Sequence, residues 1–162
     1  MDAQAASLAT VRQHHLLSGL CDSDFNVLSG QMSAKSLAKG QFLFHRGDPA
    51  PSFYFLSDGQ LELAVTSPNG EKKVIEVVQP GNTFAEAIAF MQPAIYPVTA
   101  SALNDSSLIQ IPISNYISLL EASPDASFRL LADVCRRLHK HVREIERLTV
   151  QNASGRLASF LI

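Results

Sequence analysis

The side chains of this sequence whose types could do chemistry are five histidines (His14, His15, His45, His139 and His141), two cysteines (Cys21 and Cys135), and Glu86 just after a Pro-Gly-Asn turn. Metal-dependent catalysis on a β scaffold needs two or three histidines and a carboxylate converging on one ion. His139 and His141 are two apart in a helical stretch, so they point about 200° from each other and cannot chelate one metal. The β-patterned region holds only His45. No G-x-S-x-G elbow or activated-cysteine setting is present, so acyl transfer has no local support. The cysteines lie far apart and form neither a C-x-x-C pair nor a disulfide framework. Their thiols are expected to be reduced and buried. Cys21, near a helix start, could have a lowered pKa, and Cys135 sits beside an apolar helix stripe, but neither is given a redox role. The chain reads as a binding protein, not an enzyme.

These residues need elements to position them. Up to about residue 32 the pattern is helical in pieces: Leu8, Val11 and His15 share a face, and Asp22 offers an N-cap to a short helix with Phe25, Leu28 and Met32. From Gln41 the period becomes two, with turn residues every eight to twelve positions, the pattern of a sandwich or barrel. Phe42 and Phe44 precede the turn Arg46-Gly47-Asp48-Pro49, Tyr54 and Leu56 run to Ser57-Asp58-Gly59, and Leu61, Leu63 and Val65 alternate up to Pro68-Asn69-Gly70. Asn-Gly between alternating runs is a strong hairpin signal, which makes Val74 to Val78 the return strand. A further pair is expected at Val98 to Leu103 and Leu108 to Ile111. The count suggests about eight strands in a jelly roll.

After Pro112 the helical period returns. Ser114 can cap a short helix, and Ser123-Pro124-Asp125 supplies an N-cap, a proline at the first position and an early acid for a long one. Leu131, Val134, Leu138, His141, Ile145 and Leu148 repeat at three- and four-residue spacing, the seam of a parallel coiled-coil homodimer. Phe128, Leu130 and Val142 lie off that seam. Asp133 with Arg137 and Glu144 with Arg147 are spaced for surface pairs, and Arg136, Arg137, Lys140 and Arg143 read as a solvated flank. Asn152 or Ser154 reads as a new helix start whose stripe, Leu157, Phe160, Leu161 and Ile162, has no completion, so the chain is expected to stop inside a further domain.

With 162 residues, 46% hydrophobic and 17% charged, the chain can bury one real core, and disorder is excluded as its main state. A net charge of −2 argues against a self-sufficient nucleic-acid binder. The N-terminus lacks the apolar run of a signal peptide and no segment reaches the ~20 apolar residues of a membrane span, so no membrane partner and a cytoplasmic location are expected.

Four stretches together resemble the sensor half of the CRP/FNR superfamily of bacterial transcription regulators: Phe42-Leu43-Phe44-His45-Arg46-Gly47-Asp48, Phe53 to Leu61, Pro80-Gly81-Asn82-Thr83-Phe84-Ala85-Glu86, and Arg136-Arg137-Leu138 followed by Gly155-Arg156-Leu157-Ala158. The resemblance implies a mainly β fold with helices: a cyclic-nucleotide-binding-like double-stranded β-helix over residues 1–122, a dimerisation helix over 123–151, and the start of a helix-turn-helix domain over 152–162. It also implies an effector pocket at Phe84, Ala85, Glu86, Tyr96, Pro97, Leu138 and Val142. The nucleotide-binding members hold a cyclic phosphate with backbone N–H groups of a Gly-Glu turn and an arginine. Here Ala85 replaces the glycine, Tyr96 the arginine and Pro97 its small hydroxyl neighbour. Glu86 remains, without a cation to offset it, so cyclic AMP is not expected.

An iron–sulfur cluster needs about four thiolates, and two cysteines exclude it. The chain is most similar to the dissimilatory nitrate respiration regulators, the Dnr-type branch, which implies nitric oxide sensing through haem and control of denitrification. His14, His15 and His141 are the haem-ligand candidates on that resemblance. Promoter DNA bound through a C-terminal domain, RNA polymerase, and a second copy along the long helix are the implied partners. Two alternatives stay open: a regulatory domain of the cyclic-nucleotide type that takes a different small effector, and a dimer module without a ligand.

Overall fold

The structure is a computed structural model that describes the backbone of residues 2–160 and the side chains of residues 8–147. Helices α1 (Asp2–Gln13) and α2 (Asp22–Ser29) precede eight strands: β1 (Ser33–Leu37), β2 (Phe42–Phe44), β3 (Ser52–Asp58), β4 (Leu61–Thr66), β5 (Lys72–Val78), β6 (Thr83–Phe84), β7 (Thr99–Ala102) and β8 (Ser106–Pro112). Helices α3 (Ile113–Ala122) and α4 (Pro124–Phe160) follow. The strands form two four-stranded antiparallel sheets, β1-β8-β3-β6 and β2-β7-β4-β5, which is the double-sheet roll the alternation predicts.

Strand β3 shows why the core has two halves. Its side chains alternate, so Tyr54 and Leu56 enter the roll while Phe53 and Phe55 face the helices. Inside the roll they meet Phe44, Leu61, Leu63, Phe84, Tyr96 and Leu108. Outside, Phe53 and Phe55 pack with Val11, Leu17, Leu28, Ile111 and Tyr116, and the Tyr116 hydroxyl donates to the Leu16 carbonyl at 2.9 Å. The helices are thus a lid on the β3/β8 face, with α3 and the first turns of α4 docked there through Leu120 and Ala126.

Turn chemistry sets the register. Gly70 adopts φ +83 in the β4–β5 hairpin while Asn69 does not turn left-handed, so the connection is a longer loop closed between Ser67 and Glu71 rather than a two-residue turn. Gly59 adopts φ +91, and a Cβ there would sit 2.3 Å from Ser106 Oγ and 2.6 Å from the Asp105 carbonyl.

Several local expectations are corrected. The strands begin at Ser33 rather than at Gln41, and β1 has no alternation to announce it, because only Leu37 of its five residues is buried. Cys21, not Asp22, caps α2: its Sγ accepts from the Asp24 N–H at 3.4 Å and contacts Ser23 Oγ at 2.9 Å. Both thiols are exposed rather than buried, since Cys21 sits at that cap and Cys135 on the open part of α4. Helix α1 ends at Gln13, so His15 lies beyond it in a turn. Pro112, not Ser114, precedes α3. The cap of α4 is as expected: Ser123 Oγ accepts from the Ala126 N–H at 3.4 Å ahead of Pro124. The α4 backbone stays helical through Asn152 and Ser154 instead of restarting, since no Gly or Pro lies between Pro124 and Gly155 to break its ladder. The side chains of Leu157, Phe160, Leu161 and Ile162 lie outside the described residues.

Candidate functional site

An aromatic cluster fills the roll around Tyr96. Tyr96 is 2% exposed and stacks on Phe44 with ring centroids 3.7 Å apart and planes at 7°. Tyr54 and Phe84 extend the stack, at 5.4 Å from each other. The Tyr96 hydroxyl donates to the Ser52 carbonyl at 2.7 Å and lies 3.4 Å from the Tyr54 hydroxyl. Burial pushes both phenols well above their ordinary pKa, most strongly Tyr96, where the Tyr54 hydroxyl adds to the effect. Both are therefore neutral hydrogen-bonding groups. Among the described residues no buried cation lies in that interior to neutralise a phosphate.

Ala85 adopts φ +63, a left-handed conformation that favours glycine, and opens the 3-10 turn Glu86–Phe90. Glu86 is half-buried and has no ion pair among the described residues. The structure thus brings Phe84, Ala85 and Tyr96 to the core, with Pro97 exposed at the surface. Leu138 and Val142 are not brought to them: both are exposed on α4, at 60% and 45%.

A second cluster forms where the chain leaves α1. His14 and His15 have ring centroids 4.2 Å apart, and His14 sits edge-on to Phe55 at 5.8 Å. Burial lowers the His14 pKa to about 4, with further lowering by His15 and Arg137 against an opposing pull from Asp133. His15 is lowered by burial first and Arg137 second, again opposed by Asp133. Both imidazoles are thus neutral at pH 7 and face α4. Arg137 Nε donates to Asp133 at 2.6 Å and Arg136 reaches the same carboxylate at 3.3 Å, which holds Asp133 below the usual carboxylate range. His141 is exposed on α4, about one turn beyond Arg137. His45 is exposed and packs on Phe42 at 4.8 Å, and His139 is exposed. Among the described residues no three His, Cys, Asp or Glu side chains converge as a metal site.

The seam residues Leu131, Val134, Leu138 and Ile145 are each 45% exposed or more, and His141 is exposed beside them. The Leu148 side chain lies outside the described residues. The expected pair Glu144–Arg147 is present at 3.4 Å, and Arg136, Arg137, Lys140 and Arg143 are exposed as expected.

Sequence reasoning missed an apolar groove of about 530 Å³ between α3 and α4, lined by Leu16, Phe90, Ile117, Leu120 and Leu130. Leu131 and Val134 of the seam form its floor on the α4 side. The one signal for it was Leu130 standing off the seam, and it did not reveal the facing wall. Among the described residues no helix is long and apolar enough to cross a membrane.

An eight-stranded double-sheet roll with a Pro-Gly turn leading to Glu86, lidded by helices and continued by a long helix, defines a class, and residues 34–123 match the family model for the cyclic nucleotide-binding domain, the family to which this chain belongs. Within it the chain falls in the CRP/FNR superfamily and is Dnr-like. It is similar to the sensor domain of the transcriptional regulator DNR from Pseudomonas aeruginosa, with 32% identity, a TM-score of 0.76, and coverage of 89% of this chain and 96% of that one. It is also similar to the transcriptional activator protein anr of Pseudomonas aeruginosa, 28% identical over 128 residues, 79% of this chain and 52% of that protein. The cAMP-activated global transcriptional regulator CRP of Pasteurella multocida is 25% identical over 120 residues, 74% of this chain and 57% of that protein. The chain spans about half the length of these two curated relatives.

Proposed function

We propose that this chain is the effector-sensing and dimerisation part of a cytoplasmic bacterial transcription regulator of the Dnr type, one that senses nitric oxide through bound haem and controls nitrogen-oxide respiration. Its role is binding and signalling, not catalysis. Residues 1–122 are the sensor, 123–151 the dimerisation helix and 152–162 the start of the DNA-binding domain. In the whole protein that domain would engage promoter DNA and act with RNA polymerase. The observation that carries the reading is the His14–His15 pair, two neutral half-buried imidazoles beside the long helix, in a chain 32% identical to the DNR sensor domain.

Haem asks for apolar contact and one or two axial donors, most often histidine. The donor set fits, because burial leaves a nitrogen lone pair of His14 and His15 free of a proton at neutral pH, and Phe55 and Leu16 supply apolar neighbours. His14, His15 and His141 are the residues that would hold the group. It would supply an iron able to bind a diatomic gas. Arg137 and Asp133 face the histidine pair, so a change in the position of either ring is felt on α4 one to two turns before His141.

The exposed stripe Leu131, Val134, Leu138 and Ile145 is the surface proposed to pair two subunits, since a monomer seldom leaves such a continuous apolar face in water. Repacking of that seam is the route by which occupancy would reorient the DNA-reading domains on half-sites ~34 Å apart. The test is titration of the chain with haem, read in the Soret region, followed by nitric oxide. A shifted band that changes with nitric oxide is expected and is reduced in His14→Ala/His15→Ala. No shifted band removes haem and leaves the two alternatives, a different small apolar effector or a dimer module without a ligand. Cyclic AMP, added as a control, should not bind, because Tyr96 stands where its phosphate needs a cation.

A further inference from the structure

The groove between α3 and α4 lies beside the heptad stripe of the long helix. In register with the seam, Leu131, Leu138 and Ile145 take a positions, Val134 and His141 take d positions, and Phe128, Cys135 and Val142 fall at e. All three e residues are exposed, and Phe128 is the most exposed large hydrophobic side chain of the described residues, at 70%. The opposite flank begins with Leu130 at g, and Leu130 is a wall of the groove. In a parallel two-stranded coiled coil the e flank of one helix lies against the g flank of the other.

We propose that Phe128 of a second copy of this chain inserts into the groove formed by Leu16, Phe90, Ile117, Leu120 and Leu130, so that the dimer contact extends from the long helix onto the sensor lid. This rests on the reading that α4 pairs two subunits in parallel. Three features of the fold favour a second copy as the occupant. The groove and the seam share Leu131 and Val134, so filling the seam brings the partner helix to the groove's edge. Phe128 and the groove lie at the same level of α4, between Ser127 and Val134. The lining is apolar apart from Glu121 and Ser127, and a phenylalanine buries some 150–250 Å² of such surface. The consequence is a mechanical link: Leu16 follows directly on His14 and His15, so a shift of that turn alters a wall of the pocket that holds the other subunit.

The chain contains no tryptophan, so Phe128→Trp creates a single fluorescent reporter of similar shape. Sedimentation equilibrium and emission are measured on the same samples across a dilution series. The expected result is a dimer with blue-shifted indole emission that moves to the red as the dimer dissociates. Adding Phe90→Ala removes an exposed groove wall without touching the seam, and should red-shift the dimer's emission and weaken association about tenfold. A dimer with solvent-like emission, or one whose blue shift survives Phe90→Ala, overturns the groove contact and leaves the seam standing. A blue shift that does not change on dilution also overturns it, since the contact then lies within one chain. A monomer at every concentration removes the seam reading itself.

Discussion

Ala85 and Tyr96 both pack in the interior of the roll, and the structure gives them different roles. Ala85 adopts a left-handed backbone, φ +63, which its Cβ does not suit. Such a conformation costs an L-residue roughly 1–2 kcal/mol, and glycine's larger unfolded-state entropy returns about 0.5–1 of that. Ala85→Gly should therefore stabilise the fold by about 0.5–1 kcal/mol, seen as a higher urea midpoint; a lower midpoint would show that the alanine methyl contributes packing worth more than its strain. His14 carries a pH signature. Its pKa falls from the ordinary 6.5 to about 4 on folding, chiefly through burial. Between those values the unfolded chain binds a proton that the folded one does not, so this contribution is fully present above pH 6.5 and is lost as pH falls towards 4. His15 acts in the same direction, and Asp133, held low by Arg137, adds acid sensitivity of its own at lower pH. Urea stability measured from pH 7 down to about pH 4.5 should fall less steeply in His14→Gln than in the parent. Equal slopes would mean the ring is not shielded.

At the scale of elements, the β3–β4 turn is the tightest joint. Its glycine combines φ +91 with backbone and side-chain atoms of the β7–β8 turn closer than a Cβ tolerates. Gln60 N–H donates to Asn104 Oδ1 at 2.7 Å across the same contact, and Ser106 Oγ donates to the Asn104 carbonyl at 2.8 Å. Gly59→Ala is expected to cost more than about 2 kcal/mol because strain and displacement add, whereas Gly70→Ala, with open space around its Cβ position, should cost only the strain of its positive φ. Chemical denaturation of both variants separates the two, and equal losses would argue that crowding at Gly59 is relieved by easy movement. Most elements could be read in advance where apolar side chains run densely between turn residues, as in β3, β4 and β8, which are largely buried. Strand β1 could not, because it is an edge strand with four exposed residues and is defined by hydrogen bonds to β8.

At the scale of the molecule, α4 divides into a docked start and an open remainder. Ala126 is buried against the lid, while Leu131, Leu138 and Ile145 are more than half exposed. A charge on the open part should separate subunits without unfolding a sensor whose cores lie elsewhere. Leu138→Asp is expected to weaken dimerisation at least 100-fold, consistent with placing a charge at a buried a position, while the circular dichroism of the roll is kept. Unchanged association would place the dimer contact on another surface.

What the sequence determined by itself is whatever depends on local periodicity and turn chemistry: the eight-strand roll, its Asn-Gly hairpin, the Ser123-Pro124 start of the long helix and the heptad stripe. Those features repeat within a few residues, so their physics is written in neighbouring positions. What only the tertiary structure decided depends on segments far apart in the chain. Tyr96 is a stacked plug because Phe44 and Tyr54 converge on it from other strands. His14 is neutral because burial beside Phe55 of β3 and the positive charge of Arg137 on α4 outweigh the opposing pull of Asp133. The groove exists because α3, α4, Leu16 and Phe90 meet. Burial and electrostatics at such sites are set by what lies across the space, and spacing along a chain does not encode that.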